Sequence, residues 1–426
     1  KDAITADLES MKNVGIGGFT LFNVAEGVPE GPVKYMSNGW WQLFNHLQKE
    51  AKRLNLEMGV MNGAGWSVSG GPWVTPDKAM QEVAWTEKQV EGPMYFDGSL
   101  EIPIPALGIE RDMQRNPEIN KRYYVPRNEV RGYYRDIVVW AFPTPEGELK
   151  GNPYHIDQWW GKAGFSKLSI YVCDKKNSPD SEIIQTKQMI NLTSKMDKNG
   201  HLVWNVPAGK WTILRIGYQP TGVQNHPAPP GGRGLEIDKL SSSAVDFYWE
   251  KSINQMLKMN GESKEKYISQ ILVDSYEAGH QNWTHNFDIA FKQKMGYDLK
   301  VFLPAIAGRV VGSTKLTEKF LWDYRKVISD MLISNFYDRF AEQCHRNGLT
   351  FAAEPYGAFG NTNDFSSGRM VDLPAGEFLV KDGDNGTKNT IKLASSIAHL
   401  YNRKLVGAES FTNAGNTFET NPRDIK

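Results

Sequence analysis

Apolar and polar positions along the chain follow two grammars. In the first, apolar residues three and four apart give way to a short apolar run. Ile4, Leu8 and Met11 sit at helical spacing, with Thr5 as the expected cap and Gly15 as the stop, and IGGFTLFNV follows as a strand. Ser37 is placed to cap a helix carrying Trp40, Phe44, Leu47, Ala51 and Leu54 on one face, before the strand LEMGVMNGAGW. Phe320, Tyr324, Val327, Met331, Phe336 and Phe340 predict a long helix that stops at Gly348, before the strand LTFAAEPYG. TIKLASSIAHLYNR predicts the last helix, before KLVGAESF. SQILVDSYE follows the helix AVDFYWEKSINQML, and MVDLPAGEF adds a further strand. Helix, stop, short buried strand and polar loop in alternation specify a parallel sheet wrapped by helices.

Six strands are thus expected, near residues 16–24, 56–63, 270–277, 350–355, 371–378 and 404–410. The fold class they imply is α/β, a (β/α)₈ TIM-type barrel. Closure at eight needs one strand before residue 1 and one after 410, so outer strands are expected to be missing from this segment. The chain opens inside a helical pattern, as a piece of a longer protein would. An open doubly wound sheet is the alternative.

The second grammar occupies residues 85–230, where Leu168, Ile170 and Val172 alternate, as do Leu202, Trp204 and Val206, then Trp211 and Ile213. Short alternating runs separated by Gly, Pro and Asn mean antiparallel strands. The expected division is a first barrel part at 1–84, a β-sandwich-like insertion at 85–230 and a second barrel part at 231–426. Without the insertion about 280 residues are left, close to the roughly 250 of a typical barrel of this type.

Lys plus Arg and Asp plus Glu number 49 each, so the chain lacks the basic excess of a nucleic-acid or anionic-membrane binder. The longest apolar runs, such as IVVWAF, fall far short of the roughly 18 residues of a membrane helix. Cys173 and Cys344 lie too far apart for a metal or redox spacing and read as buried thiols. Thirteen Trp, 17 Tyr and 19 Phe are many, and several stand beside Gly, Asn and Pro, where ring faces suit sugar rings as well as they suit packing.

Barrel active sites lie at the C-terminal ends of the strands. SYE, AAEPYG, PAGEF and GAESF place Glu277, Glu354, Glu377 and Glu409 there, each closing its own strand. Converging carboxylates serve glycoside hydrolysis, with one acid and one base, or hold a hard divalent cation. Neither an HExxH spacing, a GxSxG elbow nor a phosphate-binding loop is present. DGDNG, Asp382 to Gly386, departs from an EF-hand and reads as a turn. PAPPGGRG, Pro227 to Gly234, is a rigid connector whose neighbours Asn225, His226, Glu236 and Asp238 line a site or anchor the loop.

The stretches ITADLESMKNVGIGGFTLF, MNGAGWSVSGGPWVTPDKAMQ, NHPAPPGGRGLEIDKLS, VDSYEAG and FKQKMGYDLKVFLPAIAG resemble glycoside hydrolase family 106, the α-L-rhamnosidases, in order and over essentially the whole chain. The resemblance implies a catalytic barrel interrupted by β structure, inversion at the anomeric carbon, and a Ca²⁺ ion touching sugar hydroxyls. It also implies a rhamnose-containing glycan as partner and a periplasmic or extracellular location. By analogy with barrel glycosidases, Glu277 is assigned as general acid and Glu409 as general base. Glu377 is the first choice of calcium ligand and Glu354 the second. Trp66, Trp73, Tyr276 and Tyr356 are candidates for the sugar's apolar methyl face, and Asn62 and His226 for its hydroxyls. A retaining exo-glycosidase on another sugar and a non-catalytic glycan-binding protein are the competing readings.

Overall fold

The computed structural model describes the chain except residues 27–28, 68, 104–132, 150–157, 167–176, 260–266, 358–361, 381–385 and 414–426. Two strands come first, β1 (Gly18–Asn23) and β2 (Glu57–Ala64). The middle of the chain supplies β3 (Gln81–Ser99), β4 (Arg135–Pro143), β5 (Ile183–Ile184), β6 (Ile190–Asn191) and β7 (His201–Pro220). Then follow β8 (Ile268–Val273), β9 (Val310–Val311), β10 (Thr350–Ala353), β11 (Leu373–Val380) and β12 (Gly407–Asn413).

All six strands expected of the parallel sheet are present, in the spatial order β1-β2-β8-β10-β11-β12. Spatial order repeats chain order without reversal. A doubly wound sheet needs a point where the order reverses; this sheet winds in one direction, as part of a barrel does. Among the described residues β1 and β12 are its edges, so the sheet is a partial barrel and not the closed eight-stranded ring.

The helices follow their sequence signals in part. Ser37 caps the helix Asn38–Arg53 by accepting the Trp40 N–H at 3.3 Å. Thr5 is no cap: the first helix, Asp2–Asn13, begins before it, and its hydroxyl meets His46 Nε2 at 3.0 Å. The helix 242–258 breaks at Ser252, whose hydroxyl donates to the Asn62 carbonyl at 3.0 Å. The long helix divides into Thr314–Leu332, a π turn at Ile333–Tyr337, and Asp338–Arg346. Its apolar series steps by five from Met331 to Phe336, and the wider π turn absorbs the extra residue while keeping both side chains in the core.

The inserted block forms one four-stranded antiparallel sheet, β3-β7-β4-β6. Period two sorts its faces: Val138, Trp140 and Phe142 pack into the main core, while Val139 and Ala141 join a smaller one with Phe96, Trp204, Trp211 and Ile213. A second sandwich layer is not seen among the described residues. The alternating Leu168, Ile170 and Val172, Cys173, and all of the DGDNG turn before Gly386 lie outside those residues. Cys344 is a buried free thiol, and no described helix is long and apolar enough to cross a membrane.

Candidate active site

In a parallel pair, residues at matching register stand side by side about 4.8 Å apart, and every second one faces the same way. The register matches Leu272 with Ala352, Ala352 with Leu373, Ala375 with Gly407, and Glu377 with Glu409. The inward series on four adjacent strands are therefore Gln270, Leu272 and Asp274; Ala352 and Glu354; Leu373, Ala375 and Glu377; and Gly407 and Glu409. These residues line a cavity of about 780 Å³, together with Phe22, Val24, Trp66 and Glu277. Its size is within the range that holds a small ligand.

β8 ends at Val273, earlier than expected, because the next backbone N–H groups leave the ladder: Ser275 donates to its neighbour Asp274 at 2.9 Å and Tyr276 to the Tyr356 carbonyl at 2.9 Å. Asp274 is thus the inward acid that ends the strand, and Glu277 stands on the loop beyond it. The matched ends of β8 and β10 put Asp274 beside Glu354. One oxygen from each of Asp274, Glu354 and Glu409 lies within 4.8 Å of the others.

Asp274 and Glu354 are buried, at 7% and 3% exposure. Burial holds the carboxyls of both well above the usual carboxylate range; the Glu409 and Glu277 charges add to this at Asp274, and the Asp274 charge adds to it at Glu354. Glu354 and Asp274 are hydrogen-bonded to each other, and Tyr356 donates its hydroxyl to Glu354 Oε2 at 2.6 Å. Without a cation, such a pair holds a proton between its members.

Glu277 is exposed to the cavity and accepts the Trp66 Nε1–H at 2.9 Å and the Ser275 hydroxyl at 3.1 Å. Trp66 owes its place to a buried hub. Glu236 accepts the Ser67 hydroxyl at 2.6 Å, the Ser69 N–H at 3.1 Å and the Lys239 ammonium at 2.7 Å. The Trp66 and Ser67 N–H groups both reach the His226 carbonyl at 2.9 Å. Gly65 lets the chains approach: its φ is +80°, and a Cβ there would lie 2.6 Å from the His226 backbone.

The structure therefore gathers Glu277, Glu354, Glu377, Glu409 and Trp66 around one cavity, with Tyr356 bonded to its floor. Four other sequence candidates stand elsewhere. Asn62 is fully buried, bonded to Ser69 Oγ at 2.6 Å, and its carbonyl receives the Tyr248 hydroxyl at 2.9 Å. His226 supports the Trp66 loop through its backbone. Trp73 packs on Tyr248 with ring centroids 6.3 Å apart. Tyr276 points the opposite way from Asp274, into the core over Lys239 Nζ at 5.4 Å. Of the two expected calcium ligands, Glu354 belongs to the carboxylate cluster, whereas Glu377 lines the cavity beside Glu409 without joining it. Asp274 and Phe22 line the cavity although the sequence reading assigns neither to the site. Strict period two from Gln270 and Leu272 selects Asp274.

The carboxylate cluster suits a hard divalent cation. Oxygens bound at 2.3–2.6 Å to one Ca²⁺ are at most about 5.2 Å apart, and the observed spacing stays inside that limit. The positive charge would also offset the cost of burying two neighbouring acids.

A family model described as alpha-L-rhamnosidase, glycoside hydrolase family 106, matches residues 1–426. A protein of Formosa agariphila named "Putative beta-glucuronidase" is 41% identical over 427 residues, covering 100% of this chain and 34% of the relative. A solved rhamnosidase structure from Novosphingobium sp. PP1Y superimposes with a TM-score of 0.74 at 24% identity, over 99% of this chain and 52% of that one, and supports the fold. The chain thus spans about a third of the curated relative and about half of the solved protein.

Proposed function

The chain belongs to glycoside hydrolase family 106, and from that premise we propose that it forms the catalytic part of an exo-acting α-L-rhamnosidase that inverts the anomeric carbon. The observation that carries this reading is the convergence of Asp274, Glu277, Glu354, Glu377 and Glu409, from four neighbouring strand ends, on one cavity. We also propose that strands outside this chain close the sheet. Support comes from β1 and β12, the edges of the sheet among the described residues, and from Phe22, which stands 39% exposed on β1.

In the proposed mechanism Glu277 is the general acid. It stands on a loop at the cavity wall, oriented by the Trp66 indole and the Ser275 hydroxyl, and protonates the leaving oxygen. Glu409 is the general base. It projects from the neighbouring side of the sheet and takes a proton from the attacking water. Asp274 and Glu354, with an oxygen of Glu409, would hold a divalent cation, taken to be Ca²⁺, which when bound engages and orients sugar hydroxyls. Leu272, Ala352, Leu373 and Ala375 give the cavity an apolar floor on which the deoxy methyl of rhamnose can rest.

The test is release of rhamnose from an aryl α-L-rhamnoside by the full-length protein, with the product anomer followed by proton NMR. Glu277→Gln and Glu409→Gln should each lower kcat by about 10²–10⁴-fold; wild-type turnover in both would overturn the assignment. A second reading, exo-hydrolysis of a β-glucuronide, is favoured by the name of the Formosa relative. A matching aryl β-glucuronide in the same assay decides between them.

A further inference from the structure

The PAPPGGRG connector has no part in the proposed mechanism, yet it walls a second hollow of about 490 Å³. Phe22 and Val24 line both this hollow and the carboxylate cavity, so the two are neighbours across one strand end. We propose that the hollow is the subsite for the sugar next to the cleaved residue, and that it takes a uronic acid, recognising its carboxylate through Arg233 and Lys34. The proposal rests on the glycosidase reading and deepens it.

Three observations carry it. The first is charge: Arg233 and Lys34 both line the hollow, against one acid, Glu30. Among the described residues neither cation has an ion pair; Arg233 spends one donor on the Ala228 carbonyl at 3.3 Å. A half-buried guanidinium with four donors unspent is matched to a planar carboxylate. The second is a platform: Trp40 lines the same hollow, its ring stacked on Phe44 at 4.8 Å and its Nε1 tied to Asn23 Oδ1 at 3.2 Å, and a fixed indole suits a sugar face. The third is rigidity. Asn225, fully buried, donates to the Ala64 and Gly232 carbonyls at 2.7 and 3.0 Å and accepts the Gly234 N–H at 2.9 Å, fixing the backbone on both sides of Arg233. Preorganised donors at a shared wall are what a leaving-group subsite requires.

The experiment uses the full-length protein and a matched pair of disaccharides, a rhamnosyl uronic acid and its neutral methyl ester. In the wild type kcat/KM should favour the acid by about tenfold or more, the scale of a charge-assisted bidentate contact. That ratio should fall to near one in Arg233→Gln combined with Lys34→Gln, and to an intermediate value in Arg233→Lys, which keeps the charge but loses the fork. A wild-type ratio near one, or a ratio that the variants leave in place, overturns the proposal. Cleavage of neither disaccharide would count against the rhamnosidase reading instead. Calorimetric titration with free glucuronic acid then decides the subsite: a loss of about tenfold in affinity in the double variant supports it, and equal affinity refutes it.

Discussion

Glu236→Gln probes the hub beneath the site. Glu236 and Lys239 are both fully buried and joined at 2.7 Å. Burial pulls the Lys239 ammonium below its usual range, and the Glu236 charge opposes this. The glutamine keeps the shape and one acceptor for the Ser67 hydroxyl. It removes the charge that pairs Lys239, and it leaves only one acceptor for three donors. Breaking one side of a buried pair costs about 3–5 kcal/mol, because the surviving charge is left unpaired. Denaturant unfolding of variant and wild type measures the loss. The second arm is Glu236→Gln with Lys239→Met, which removes the stranded charge and should recover most of the stability. The hub also sets the loop that aims Trp66 at Glu277, so kcat should fall in the single variant more than its folded fraction explains. A loss below about 1 kcal/mol, or a double variant no more stable than the single one, would refute the reasoning.

The same geometry sets further expectations. Asp274→Asn and Glu354→Gln should each weaken Ca²⁺ binding by about tenfold or more, read by calorimetry. Because the pair holds its proton above the usual carboxylate range, binding to the wild type should release protons and tighten as pH rises; affinity independent of pH would contradict the cluster. Burial pushes the Asp238 carboxyl from 3.8 up to about 6, against hydrogen bonds from Thr284 and Gln281. The folded state then keeps a proton that the unfolded chain releases, so stability should drop as pH rises from about 4 to about 6. At about 1.4 kcal/mol per pH unit the drop is about 3 kcal/mol, and Asp238→Asn should flatten that part of the curve. Ser37→Ala removes the cap on Trp40 N–H and should cost about 1 kcal/mol in thermal unfolding.

Much of the fold is legible in the sequence because the parallel sheet is built from short-range patterns. Five of the six strands follow a helix whose apolar spacing is visible, all but β11, and the helix ends carry their own markers at Ser37, Gly15 and Gly348. What escapes is tertiary. Thr5 has a capping residue's chemistry, but Lys1 provides the helix start and His46 takes the hydroxyl. The break at Ser252 answers to the Asn62 carbonyl, which only the folded chain presents. The antiparallel block shows its alternation, yet a single sheet with a core on each face looks like a sandwich until the strand order is known.

The site shows where pattern reading succeeds and where it stops. Glu354, Glu377 and Glu409 fall in phase with Ala352, Ala375 and Gly407, so a period of two is enough to place them inside. The same rule, applied to Gln270 and Leu272, selects Asp274; it would select Tyr276 as well, but the strand ends at Val273, so the Tyr276 ring turns into the core and Glu277 is left to the loop. The eye is drawn instead to Glu277 as the last acid of SYE. The sheet thus fixes Asp274 and Glu354, buried and crowded enough to share a cation with the more exposed Glu409, whereas Glu277 stands on a loop at the cavity wall, held by an indole and a hydroxyl. Asn62, Trp73 and His226 have the chemistry of sugar ligands in a Gly-rich setting, but each is tied into the packing that supports Trp66 and its neighbours. Residue type indicates what a side chain can do; register and burial decide whether a sugar could ever meet it.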